Sequence, residues 1–489
     1  MQRRDTIFFF YETAVGLGHQ RRASGIANSM AAQGFDVSVG SGTFVSPEDF
    51  FDPRIDLIKL PAARRHKEDG EHYFYDENNN LVHDPDHDPK EWTQQRLAAI
   101  DPYARAKRID VLMVEWWPFQ RRKEFSKIVE RIVELQQEIY GHKPMIVSSV
   151  RDVLTKFSNP EGEAAYEAEM QAVRIINKMV DHLLVHSDPA LISLSETFSR
   201  TNLLEKPVHY TGYVVHGGIE ALPVEQRDKT VLVSCGSGDS GHHLMKAAAQ
   251  ARPFSKLRDF KWIYVLGPRM EADQSADFHS VLNRFNNHAG QPLNTEVHPY
   301  MSDLPLQMGR AGLSLSYAGY NSTLEVTKSR APAVLVPKMA RKDDATLMGD
   351  FDNYDKEQWR RLVRLQERGI ASIAHPDLVR DPQGFAALID HAYDLGTPQS
   401  SLDLDGAANT ARIMSGLLKS LRGVMAMPEA TMESLVSLPA YGQIHTVLPR
   451  AVKPSLGIAL ETSPEGMHNG IRNMGGEVTP SHATPRPTI

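Results

Sequence analysis

Cysteine is almost absent from this 489-residue chain: Cys235 is the only one, so no internal disulfide is available to staple the fold. It follows the apolar run Val231 to Ser234, a setting that suits a small buried side chain better than a catalytic thiol. A net positive charge is missing too. Lys+Arg 54 against Asp+Glu 61 leave a formal charge of -7, with no local basic stripe to offset it, so nucleic acid is not expected as a partner. No apolar run approaches the roughly 20 residues that cross a bilayer. The start Met1-Gln2-Arg3-Arg4 resembles that of a signal peptide, but Asp5 and Glu12 bracket a stretch too short and too β-rich for its apolar core. The expected location is cytoplasmic, at most peripheral at the inner face of a membrane. No repeat of 20 to 50 residues is present, which excludes a solenoid.

Two nucleotide-binding signatures are incomplete. The turn Gly16-Leu-Gly18-His19-Gln-Arg21-Arg22 has Arg21 where a dinucleotide fingerprint needs its third glycine, and Val39-Gly40 stand where that fingerprint needs an acid, so NAD is not expected. The loop Cys235-Gly236-Ser-Gly238-Asp-Ser-Gly241 lacks the Lys-Ser/Thr ending of a P-loop, which argues against a Walker-type NTPase.

What is present is an ordinary globular composition, 41% hydrophobic and 24% charged, over a length that predicts two or three domains. Strand and helix patterns alternate from the start: Thr6 to Glu12, the amphipathic Arg22 to Ala32, Phe35 to Val39, then strands at Asp110 to Glu115, Pro144 to Val150, Asp181 to Ser187 and Pro207 to Tyr213. Helices are expected at Phe125 to Tyr140 and Glu161 to Met179. That alternation predicts an α/β fold with a parallel sheet covered on both faces. After the Gly/Pro-containing stretch from Gly212 to Lys229 the pattern restarts at Thr230, with strands at Trp262 to Leu266, Thr295 to His298, Gly312 to Tyr317 and Ala333 to Pro337. The expected organisation is therefore one domain over 1–215, a second over 228–424 ending in a helix near Asn409 to Arg422, and a largely irregular tail over 425–489. Ala62 to Lys90, rich in Asp, His, Asn and Pro, reads as a long surface loop.

Ligands of open parallel sheets bind beyond the carboxyl ends of the strands, and five segments lie there. Gly16 to Arg22 turn from a strand into a helix whose first N–H groups can hold an anion. Glu115 heads Trp116-Trp117-Pro118-Phe119 and is placed either to touch a substrate hydroxyl or to pair with Arg121 or Arg122. Arg151-Asp152 end another strand. In the second half, Gly236 and Gly238 form a phosphate-cradle type of loop. Leu313 to Val326 reads as a buried strand, a Gly319-Tyr320 turn, and a helix opened by Asn321, Ser322 and Thr323 with Glu325 in its first turns. Amide, hydroxyl and N–H donors followed by a carboxylate suit a diphosphate followed by two vicinal hydroxyls, and an ordinary helix cap is the alternative.

In order along the chain, Gly16 to His19, Glu115 to Phe119, Ser234 to Gly241, His298-Pro-Tyr-Met301, Ala318 to Glu325, Pro332 to Pro337 and Glu357-Gln358 resemble glycosyltransferases of the GT-B fold. The likeness is nearest to family 28, which includes the N-acetylglucosaminyltransferase that makes lipid II, and within it to predicted bacterial glycosyltransferases with Gly-Tyr-Asn before the helix glutamate. It covers about residues 5 to 424. The resemblance implies two Rossmann-like domains facing across a cleft, the first for the acceptor and the second for a nucleotide-sugar donor, in all expectation a UDP-sugar. By position, Glu325 would accept the ribose hydroxyls, Asn321, Ser322 and Thr323 would hold the diphosphate, the backbone around Met301 would read the base, and Gln358 would contact the donor sugar. Gly16 and Gly18 would face the diphosphate across the cleft, Gly236 and Gly238 would form the second-domain glycine loop, and His19 would lie near the reacting centre. Ala340 to Lys356 lengthen one loop relative to the family.

The implied reaction is an inverting displacement with no cofactor and no metal, in which His19 or Glu115 takes the acceptor proton. Asp-x-Asp triplets at Asp84 to Asp88, Asp350 to Asp352 and Asp403 to Asp405 do not end clear strands. The acceptor, whether glycan, lipid-linked sugar or metabolite, is unspecified. A UDP-sugar 2-epimerase of the same fold and an inactive binding subunit are the alternatives. Arg121-Arg122-Lys123 beside Phe125, Ile128, Ile132 and Val133 form a basic amphipathic pattern that suits a membrane surface or the outside of an α/β domain.

Overall fold

The computed structural model describes residues 3–12, 18–44, 46–65, 72–75, 81–83, 89–119, 124–154, 163–215, 218–236, 238, 241–288, 290–337 and 356–425. Its first half runs β1 (Thr6–Phe10), α1 (Gly18–Ala32), β2 (Asp36–Ser41), β3 (Asp56–Lys59), β4 (Ala62–Arg65), β5 (His72–Tyr75), β6 (Leu81–His83), α2 (Pro89–Ala106), β7 (Val111–Glu115), α3 (Glu124–Tyr140), β8 (Met145–Arg151), α4 (Glu163–Met179), β9 (His182–His186) and β10 (Val208–Tyr210). The second half continues β11 (Asp228–Ser234), α5 (His242–Ala251), β12 (Lys261–Val265), α6 (Ala272–Phe285), β13 (Asn287–His288), β14 (Gln291–Pro292), β15 (Thr295–His298), α7 (Leu304–Arg310), β16 (Ala311–Tyr317), α8 (Tyr320–Ser329), β17 (Ala333–Val336), α9 (Lys356–Glu367), β18 (Ser372–Ile373), α10 (Pro376–Val379), α11 (Pro382–Asp394) and α12 (Gly406–Met425).

Two parallel sheets organise these elements. One has the order β10-β9-β8-β7-β1-β2-β3 and the other β15-β12-β11-β16-β17-β18. In each, the chain winds outward one way from a central strand, returns, and winds out the other way. The resulting switch points lie between β1 and β7 and between β11 and β16, where a crevice opens beyond the strand ends.

The strands form where apolar residues run without alternation, as strands covered on both faces require. Every residue of β1, Thr-Ile-Phe-Phe-Phe, is buried, and so is every residue of β16. The helices supply the cover. Phe125, Ile128, Val129, Ile132 and Leu135 of α3 recur at helical spacing and all pack into the core against Phe10, Leu112 and Ile146. Of the two readings of that helix, its packing is that of the outer cover of an α/β domain, with its apolar face buried against the sheet, and residues 120–123 lie outside the described ones. Among the described residues no helix is long and apolar enough to cross a membrane.

The expected loop from Ala62 to Lys90 is also corrected. Its described part holds a three-stranded antiparallel sheet, β4-β5-β6, with Ala62 opposite Tyr75, and α2 begins at Pro89. Strands of three and four residues are too short to display a two-residue period.

The two halves share a core. Val153, Leu191, Ile192 and Tyr213 from the first pack in one cluster with Leu232, Ile263, Leu324 and Leu362 from the second. The chain also returns: α12 places Ala411, Met414 and Leu418 against Ile7, Phe9, Ile26 and Met30, on the outside of the first sheet. Outgoing and returning strands of the connection lie side by side, with the Tyr213 N–H bonded to the Asp403 carbonyl at 2.8 Å. Gly212 is required there. Its φ is +79°, and a Cβ would lie within 2.8 Å of the Asp403 backbone oxygen. The aspartates at 403 and 405 serve this junction, since the Asp403 carboxylate accepts from the Asp405 N–H at 3.0 Å and from the Asn409 amide at 2.8 Å. The other Asp-x-Asp triplets lie outside the described residues, as do Gly16 and the tail beyond Met425.

Candidate active site

His19 and Glu115 meet at the first switch point. β1 ends at Phe10 and α1 opens with Gly18 and His19, while the neighbouring β7 ends in Glu115. The His19 Nδ1 is 2.9 Å from Glu115 Oε2, and Arg22, one turn further along α1, donates to Oε1 of the same carboxylate. Glu115 is fully buried and Arg22 nearly so, whereas the His19 side chain keeps 30% of its surface. Burial alone would push the Glu115 pKa up, but the charges and hydrogen bonds of Arg22 and His19 outweigh it and bring the value down to about 2. Glu115 is thus an ionised acceptor at neutral pH, so Nδ1 of His19 carries the proton it shares with that carboxylate. In the neutral ring the lone pair then lies on Nε2. Of the two candidates, the His19 side chain is the more exposed and Glu115 is buried.

The residues just beyond Glu115 shape the same corner. Trp116 has φ +60°, a left-handed conformation costly for a bulky residue. Its ring meets the His19 ring edge-on at 6.3 Å between centroids, and the Arg151 guanidinium lies 4.4 Å above it. Behind them His186 is buried, with Ser149 Oγ at 2.7 Å from Nε2 and Thr211 Oγ1 at 2.8 Å from Nδ1. Burial and the nearby Arg22 charge push its pKa down to about 3, so it stays neutral.

At the second switch point β16 ends at Tyr317 and α8 begins at Tyr320 after Gly319. Gly18 and Asn321 face each other here: a Cβ placed on Gly18 would lie 3.7 Å from Asn321 Nδ2. The starts of α1 and α8, each with unsatisfied N–H groups and a positive dipole end, therefore converge. Asn321 and Ser322 are half-buried and Glu325 is buried. Thr323 is fully buried, its N–H already given to the Gly319 carbonyl at 2.9 Å, and its Oγ1 has no partner among the described residues. Glu325 accepts from Arg21 of α1 at 2.8 Å. Burial raises its pKa and the Arg21 charge opposes that shift.

The two glycines of the loop after β11 differ. Gly236 has φ +66° with open space around it, whereas a Cβ on Gly238, at φ +94°, would come within 2.8 Å of the Leu266 carbonyl oxygen and the Met270 nitrogen. Gly238 is thus required by packing, and Gly236 is the one turned outward. Cys235 is buried, and its Sγ donates to the Leu266 carbonyl at 2.7 Å. Met301 lies beyond the end of β15 and packs, half-buried, against the cluster that also holds Tyr320. Gln358 is half-buried in the first turn of α9, next to Glu357.

Residues 230–346, from β11 past β17, match the glycosyltransferase family 28 C-terminal domain. The solved calicheamicin glycosyltransferase CalG4 superposes with a TM-score of 0.51 at 14% identity, covering 87% of this chain and 100% of its own. A UDP-glucosyltransferase from Polygonum tinctorium gives 0.51 at 12% identity over 84% and 98%. The sequence matches no curated protein at a significant level. Residues 230–346 are thus similar to a family 28 C-terminal domain, and the chain has the GT-B fold.

A buried polar cluster joins the two halves of the protein. Asp152, at the end of β8, receives Nε and Nη2 of Arg361 from α9 at 2.8 and 3.0 Å, all of them buried. Arg361 also donates to Glu357 at 2.9 Å, and Arg151 reaches the other oxygen of Glu357 at 2.7 Å. Tyr320 lies between Arg22 and Arg361, whose guanidinium carbons are 5.5 and 4.9 Å from its ring centre, and its hydroxyl donates to the His186 carbonyl at 3.3 Å. In sequence the only sign of this cluster is the repeated pairing of an Arg with an acid at strand and helix ends.

Proposed function

We propose that this protein is a glycosyltransferase that moves a sugar from a nucleoside-diphosphate donor, with UDP as the first candidate, to an acceptor hydroxyl with inversion and without a metal. The observation that carries the reading is the His19–Glu115–Arg22 constellation at one switch point, facing the opening of α8 at the other.

In the proposed step the acceptor O–H proton passes to His19 Nε2 as the oxygen bonds to the anomeric carbon. The bond from that carbon to the diphosphate oxygen breaks, and its electron pair leaves with the phosphate. A single displacement inverts the centre. Glu115 accepts from Nδ1 and stabilises the imidazolium that forms, while Arg22 keeps Glu115 ionised. The leaving diphosphate lies between the starts of α1 and α8, where N–H groups, Asn321 and Ser322 offset its charge. Glu325 takes the ribose hydroxyls, Met301 flanks the base, and Gln358 and Gly236 bound the sugar and phosphate ends of the donor. Thr323, being buried, supports the α8 opening rather than touching the donor. On this reading residues 1–215 form the acceptor side and 228–424 the donor side, with α12 reaching back to brace the first.

The test is a thermal-shift and calorimetric panel of UDP, GDP, dTDP, CMP and NAD, with and without EDTA. A shift with one nucleoside diphosphate that persists in EDTA and is lost in Glu325→Ala supports the reading. Dependence on added divalent metal removes its metal-independent part, and product formed from donor alone by epimerisation at C2 replaces transfer with epimerase activity.

A further inference from the structure

Arg21 has two rival partners, and only one of them is in the protein. It lies in the first turn of α1, facing the opening of α8, and spans the cleft to place Nη1 2.8 Å from Glu325 Oε1. A guanidinium has five N–H donors in a planar fork. The Nε of this one is buried and has no acceptor among the described residues. The other cleft arginines are differently placed. Arg22 is bound to Glu115, Arg361 to Asp152 and Glu357, and Arg151 to Glu357 while stacked on Trp116. Only Arg21 is paired with the carboxylate that the proposed function assigns to the ribose.

Resting on that reading, we infer that Arg21 is a ligand of the donor diphosphate and exchanges Glu325 for it when the donor binds. A diphosphate offers a guanidinium more charge and a better bidentate match than one carboxylate oxygen. A displacement without a metal also needs a cation where the leaving charge develops. The exchange makes the two ends of the donor cooperate. When Arg21 moves to the diphosphate, the buried Glu325 loses its cation, and the two ribose hydroxyls then supply the hydrogen bonds it needs. A diphosphate without a ribose leaves Glu325 unpaired, and a nucleoside without a diphosphate has to compete with Arg21 for Glu325. The site thereby selects ligands that carry both groups.

Calorimetric titration of UDP, UMP, uridine and inorganic pyrophosphate into the wild type and into Arg21→Ala, Arg21→Gln, Arg21→Lys, Glu325→Gln and the Arg21→Ala/Glu325→Gln double variant tests this, with the unfolding midpoint of each recorded. Arg21→Ala and Arg21→Gln are expected to weaken UDP about tenfold to a hundredfold, with Arg21→Lys in between, and to leave uridine bound as well as or better than before. Glu325→Gln is expected to tighten pyrophosphate, and adding Arg21→Ala is expected to abolish that gain. If UDP binds the Arg21 variants as tightly as the wild type, or more tightly, Arg21 only ties the halves together and the inference is overturned while the nucleotide reading stands. If no nucleoside diphosphate binds the wild type, the nucleotide reading fails. The Arg21 inference then stands or falls on whether pyrophosphate binds in an Arg21-dependent way.

Discussion

Asp152 and Arg361, 209 positions apart in the chain, form a two-bonded ion pair that is buried on both sides and joins the end of β8 to α9. Burial disfavours the charged Asp152, but Arg361 and its hydrogen bonds more than compensate and hold its pKa below the ordinary value. Removing one partner leaves the other charged in an apolar place. Asp152→Asn should therefore cost about 3–5 kcal/mol of unfolding free energy, while an Asp152→Leu/Arg361→Met pair should cost much less than the two single losses added together. Denaturant midpoints of the wild type, Asp152→Asn, Asp152→Leu, Arg361→Met and the double variant check this.

Glu115 predicts an acid limb of stability. Its folded pKa of about 2 lies below the ordinary 4.5. A depressed carboxylate pKa contributes stability that is complete above the ordinary value and is lost as pH falls toward the folded one. Wild-type unfolding free energy should thus decline between pH 4.5 and 2, with a share of about 3 kcal/mol from this group. Glu115→Gln should flatten that limb and lower stability at neutral pH, because Arg22 is then buried without its carboxylate.

Much of this architecture was legible in the sequence. Most strands of the two parallel sheets are legible to within one or two residues because buried parallel strands are long apolar runs, and the more exposed Thr295 to His298 agrees to the residue. The β4-β5-β6 sheet was not legible, since its strands are too short and polar to show a period. The pairing of His19 with Glu115 was legible only as two residues at neighbouring strand ends. What Arg22, Arg361 and Tyr320 do was not: a surface arginine and a buried one look alike in sequence, and their partners lie up to 209 positions away.

The glycine pair after β11 separates packing from ligand contact. Gly238→Ala meets two backbone atoms at 2.8 Å and a φ of +94°, whereas Gly236→Ala meets only an unfavourable φ of +66°. Gly238→Ala should cost about 2–3 kcal/mol and Gly236→Ala about 1 kcal/mol by thermal unfolding. On the proposed reading Gly236→Ala should still raise the donor KM.

The account rests on His19 as the base of a single displacement, and one measurement addresses it without a known acceptor. Nuclear magnetic resonance can follow the anomeric configuration of the sugar first released when the protein turns over UDP-, GDP- or dTDP-hexoses with water as the acceptor, at several pH values, in the wild type and in His19→Ala. The prediction is release of the inverted anomer, slowed about 10² to 10⁴-fold in His19→Ala with little change in donor KM. A retained anomer, or release undiminished in His19→Ala, would contradict it.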